Sequence, residues 1–127
     1  MAYAMGYPDI ELARTRHALL RHVIDAHAGP AADPRRLRRV LALCRELCDA
    51  IDDEYCRAKM LALEEYAAEL LSAGEHRPRG TVPGAQFLRQ RIAEALELVQ
   101  SRLYSLERVR RYGALAFARR AAPGFAG

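Results

Sequence analysis

The chain has no tryptophan, and only one of its 20 basic residues, Lys59, is lysine. Valine, isoleucine and threonine are sparse beside alanine, leucine and arginine, which disfavours sheet and favours helix. Cysteine is scarce and odd in number: Cys44, Cys48 and Cys56 cannot close a secreted disulfide framework among themselves. No apolar run approaches the ~20 residues needed to cross a bilayer. Residues 1–8 lack the basic and apolar regions of a signal peptide. These absences lead us to expect a cytoplasmic protein with reduced thiols and no membrane span.

Proline and glycine are missing from two long stretches. The first runs for 39 residues, from Arg35 to Ala73, and the second from Ala85 to Tyr112. With 51% hydrophobic residues in 127, the chain can pack one domain. Asp9 is placed to cap a first helix to about Ala28, ended by Gly29-Pro30, with Ile10, Ala13, Leu20 and Ile24 at helical spacing. Asp33 and Pro34 form an N-cap and first-turn pair, and Gly74 suits a helix end. The expected elements are a flexible arm at 1–8, helices at about 9–28, 34–73 and 84–121, and a disordered tail at 122–127.

The expected architecture is therefore an all-α, three-helix protein built on a long antiparallel hairpin. Helix one, about half as long as helix two, covers only the half nearest Asp33. Several apolar side chains of the distal half and of helix three then lack cover: Leu61, Leu63, Tyr66, Leu70, Phe87 and Leu96. Each large apolar side chain left wet forgoes roughly 1.5–3 kcal/mol. A second copy or a foreign helix would close the bundle, so these six residues are the candidate protein interface.

Charge is sorted along the chain. Residues 46–75 are strongly acidic, whereas 33–45 and 76–127 are basic. In a hairpin, Arg35, Arg36, Arg38 and Arg39 share one pole with Arg108, Arg110 and Arg111. That pole is a candidate contact for nucleic acid or another anion. The alternatives are a solvated face, or ion pairs with the acidic belt of a second subunit.

Chemistry-bearing residues point elsewhere than catalysis. Cys44 and Cys48, one turn apart, read as small core residues, because the second ligand pair of a zinc site is missing. His17, His22 and His27 are five apart, so successive rings point about 140° apart and cannot converge. His17 reads as an interior, hydrogen-bonded residue. Asp49, Asp52, Asp53 and Glu54 read as a solvated cluster or as partners for Arg89, Arg91 and Arg102. No catalytic residue, metal or cofactor is expected. Leu47 to Glu54 resembles the first helix of the all-helical chorismate mutases, intertwined dimers that grip a dicarboxylate with arginines and a lysine. The resemblance covers these eight residues alone and carries over no residue role. The favoured reading is a non-catalytic helical interaction module, such as an adaptor, a regulatory protein or a secretion-type chaperone. A nucleic-acid-binding regulator is the alternative, and a small helical enzyme or metalloprotein a minor one.

Overall fold

The computed structural model describes residues 9–28, 31–72 and 84–121, with side chains to Gly113. The expectations for residues 1–8, for Gly74 and the loop as far as Pro83, and for the tail at 122–127 lie outside the described residues. The described part is all-helical and contains four helices: α1 (Ile10–Asp25), α2 (Pro34–Ala50), α3 (Glu54–Leu71) and α4 (Ala85–Ala121).

The expected second helix is thus two helices, and the three-helix hairpin is corrected to a four-helix ring. Ile51 adopts extended backbone, and Asp53 begins α3 by accepting a hydrogen bond from the Cys56 N–H at 3.0 Å. Aspartate favours this cap because its short carboxylate competes for backbone N–H groups. Few backbone groups are stranded by the break. Ile51 N–H still reaches Leu47 O, and the Ala50 carbonyl accepts the Asp9 N–H at 2.7 Å. The opposite end repeats the device, with Asp33 N–H donating to Leu71 O at 2.8 Å. Asp9 and Asp33 cap α1 and α2 through their side chains, on Leu12 N–H and Arg36 N–H respectively.

The break has a large return. It folds α3 back so that Met60, Leu63, Leu70 and Leu71 enter the chain's own core, each no more than 2% exposed. At roughly 1.5–3 kcal/mol per side chain, that burial outweighs the few helical bonds lost at residues 51–53. The core continues with Leu20, Val40 and Leu47, and with Leu88, Ile92, Val99 and Leu103 of α4.

Neighbouring helices run antiparallel around the ring: α1 packs against α2 and α4, and α3 against α2 and α4. The cross-links fix this register. Arg102 meets Asp53 at the end where α2 turns into α3, and there Arg14 of α1 meets Glu107 at 2.8 Å. At the other end Arg89 donates to the His27 carbonyl at 2.8 Å. Midway, His17 Nε2–H donates to Leu96 O at 2.7 Å across the α1–α4 seam.

Candidate interaction surface

One helix does not match the others. At 1.5 Å per residue, α2 and α3 span about 26 Å, while the 37 residues of α4 span about 55 Å. Among the residues of α4 whose side chains are described, the last in the core is Leu103, and Leu106 is only half-buried. From Arg108 to Gly113 every residue is exposed. This overhang leaves the bundle at the α2–α3 turn and carries Val109, 67% exposed, and Tyr112, 61% exposed. Tyr104, also exposed, lies one turn before it. The Arg108 guanidinium sits over both the Tyr104 and Tyr112 rings, at 6.0 and 5.7 Å from their centroids. Of the remaining arginines, Arg111 lies 3.8 Å from Glu107 and Arg110 has no partner among the described residues.

The six-residue interface expected from sequence is divided by the structure. Leu63, Leu70 and Leu96 are sealed in the core, and Tyr66 is half-buried. Leu61, 55% exposed, and Phe87, 43% exposed, remain on the surface. The correction has one cause. The break at residues 51–53 supplies from within the chain the cover that a continuous helix would have needed from a partner.

The same break divides the arginine pole. Because α3 folds back, α2 and α4 run parallel across the bundle. Arg35, Arg36, Arg38 and Arg39 therefore stand at the end where α4 begins, and Arg108, Arg110 and Arg111 beyond the opposite end. Arg36 is also occupied, bonding the Asp33 carboxylate at 3.0 Å and the Val23 carbonyl at 2.6 Å. Arg35 and Arg39 line a shallow groove of about 410 Å³ with His22, Val23 and Ala26.

Two further clefts, of about 370 and 280 Å³, follow the α1–α4 seam. The larger is lined by Arg21, Ile24, Asp25 and Arg89, the smaller by Arg14, His17, Gln100 and Tyr104. His27 beside the first is fully engaged: its Nδ1 accepts from Arg89 at 3.0 Å and its Nε2–H donates to Ala31 O at 2.8 Å. Burial of His17 pushes its pKa down, against the opposing effect of its bond to the Leu96 carbonyl.

The expected pairing of the acidic cluster with an arginine is realised at Arg102. Arg102 grips Asp53 at 2.8 and 3.1 Å, and this bond holds the Asp53 carboxyl at about 2. Arg91 pairs with Glu94 on its own helix, and Arg89 donates to the His27 carbonyl. Burial pushes the thiols of Cys44 and Cys48 up, and that of Cys56 up to about 12 with help from Asp53. Among the described residues no three His, Cys, Asp or Glu side chains converge as a metal site, and no helix is long and apolar enough to cross a membrane.

The exposed overhang was missed in the sequence because Val109 falls on the same helical line as Leu88, Ile92, Ala95 and Val99. Its periodicity reads as core. Only the lengths of the other helices show that the core has ended before it. The stretch Leu47 to Glu54, which resembles a mutase helix, is the end of α2, the turn and the first residue of α3. No family model matches the chain, no curated protein is similar to it in sequence, and no solved structure matches its fold.

Proposed function

We propose that this is a non-catalytic helical interaction module whose bundle carries a projecting arm, the overhang of α4, for a protein partner. The observation that supports the reading is the continuation of α4 beyond its own core with Val109 and Tyr112 turned to water. A helix already nucleated in a bundle extends at little cost, so the arm is held ready in the form a groove or helix would receive. Burial of those two side chains by a partner contributes roughly 1.5–3 kcal/mol each. The opposite placement of the two arginine sets favours a protein over one continuous phosphate track. Adaptor, regulatory protein and secretion-type chaperone are all roles open to such a module.

The test is co-purification from the native host with the full-length protein and with a Val109→Asp/Tyr112→Ser variant. Both side chains are exposed in the single chain, so the variant should keep the wild-type far-ultraviolet circular dichroism. A partner that travels with the wild type and is lost from the variant is expected. Equal recovery with both proteins would refute the role of the arm.

A further inference from the structure

Resting on the interaction reading, we infer that the occupant of the arm is a second copy of this chain: each protomer lays its arm along the outward face of the other's α3. Charge is the first argument. From Arg108 onward the sequence holds five arginines and no acid, and Arg108, Arg110 and Arg111 are exposed. Glu54, Ala58, Leu61, Glu65 and Glu69 of α3 fall within about 40° of one line at 100° per residue. All five are exposed. Neither Glu65 nor Glu69 has an ion-pair partner among the described residues. The face therefore presents unpaired carboxylates around an exposed leucine, and the arm presents arginines around an exposed valine and tyrosine.

Length and direction agree with charge. Residues 108–121 span about 20 Å of helix, and Glu54 to Glu69 about 22 Å. The arm leaves the bundle at the end where α3 begins, as the Arg102–Asp53 pair records. Two copies meeting at that end each send an arm past the other's α2–α3 turn and directly onto the start of its α3. The exchange is reciprocal, so the assembly closes at two and leaves no open contact for a third copy. Within one molecule the arm points away from its own α3, which keeps it from satisfying the same face in cis.

Light scattering coupled to size exclusion tests the inference on the full chain. The wild type at about 50 μM should show twice its 14.2 kDa mass. Reversal of the arm (Arg108→Glu, Arg110→Glu, Arg111→Glu) places like charges together and should raise the dimer Kd by about a hundredfold or more. The Glu65→Arg/Glu69→Arg variant should do the same. All five positions are exposed, and an unchanged circular dichroism spectrum would show that each variant folds. Mixing the two variants re-creates two attractive arm–face contacts, one native and one inverted, and should restore the dimer. A monomeric wild type, a dimer indifferent to either reversal, or a mixture that stays monomeric would overturn the inference. A monomeric wild type that still retains a host protein through Val109 and Tyr112 would overturn it while leaving the interaction module standing. A charge-sensitive dimer that retains nothing would sustain it and restrict the module to self-association.

Discussion

Asp53 is the residue on which the fold turns, and Asp53→Ala probes it with a change of sign. In the structure Asp53 is a helix cap and also the acceptor of a two-point bond from Arg102, its side chain 12% exposed against 40% for the arginine. Loss of the cap costs about 1 kcal/mol. Loss of the half-exposed ion pair adds about 1 kcal/mol more, discounted for the solvent around the guanidinium. The sum, about 2 kcal/mol, lowers the melting temperature of a domain this size by roughly 8 °C. Had residues 34–73 formed one helix, Asp53 would lie in its interior, where alanine is the better residue by about 0.5 kcal/mol, and the substitution would stabilise. Urea or thermal unfolding followed at 222 nm decides between them. Asp52→Ala is the control, because Asp52 is 89% exposed and, among the described residues, pairs with Arg57 alone. The pH dependence gives a second reading of the same group. The folded carboxyl sits at about 2, below its ordinary 3.8. Its stabilisation is therefore complete above the unfolded value and is lost as pH falls from about 4 to 2. Asp53→Ala should flatten that part of the acid limb. A neutral or stabilising effect, with an unchanged acid limb, would refute the broken-helix account.

In urea unfolding at a protein concentration low enough to keep the chain monomeric, Leu63→Ala should cost about 2–5 kcal/mol, while Leu61→Ala, two residues away and exposed, should cost under about 0.5 kcal/mol. Similar losses at both positions would contradict the burial pattern. The buried His17 has its pKa lowered below the unfolded 6.5, so the unfolded chain takes up protons first and stability falls as pH drops below about 6.5. His17→Gln, which keeps a donor toward the Leu96 carbonyl, should remove that dependence when melting temperature is compared between pH 7.5 and pH 5.5. With a disulfide reagent at pH 8, the half-buried Cys48 should react before Cys44 and Cys56, whose thiols are buried and held protonated. Equal, fast reaction of all three thiols would show that the core is open.

Much of the fold was legible residue by residue. Asp9 and Asp33 announce their helices because a cap is a local hydrogen bond. The faces of α1 and α4 that enter the core can likewise be read from spacing. The break at Ile51 to Asp53 left a fainter trace. On one continuous helix Leu47 and Leu63 stand 16 residues, or about 160°, apart. The apolar line around Val40, Leu43 and Leu47 thus changes face before the line of Met60, Leu63 and Leu70 begins. Without proline or glycine to mark the change, the two lines read as two faces of one helix. Asp53, which caps α3, reads with its acidic neighbours as a solvated cluster or as a partner for an arginine such as Arg102, not as a helix start. Leu63, Leu70 and Leu96, inferred as interface from that picture, inherited its error, and so did the single arginine pole.

The sequence alone determined the helical class, the capped starts of α1 and α2 and the apolar periodicity, because these depend on neighbours within a turn or two. The tertiary structure decided what lay beyond that range. It set where the long stretch folds, which leucines are covered by their own chain, and which end of the bundle each arginine set occupies. It also showed that α4 outruns its partners, since a side chain's burial depends on the height of helices remote in sequence and not on its own periodicity.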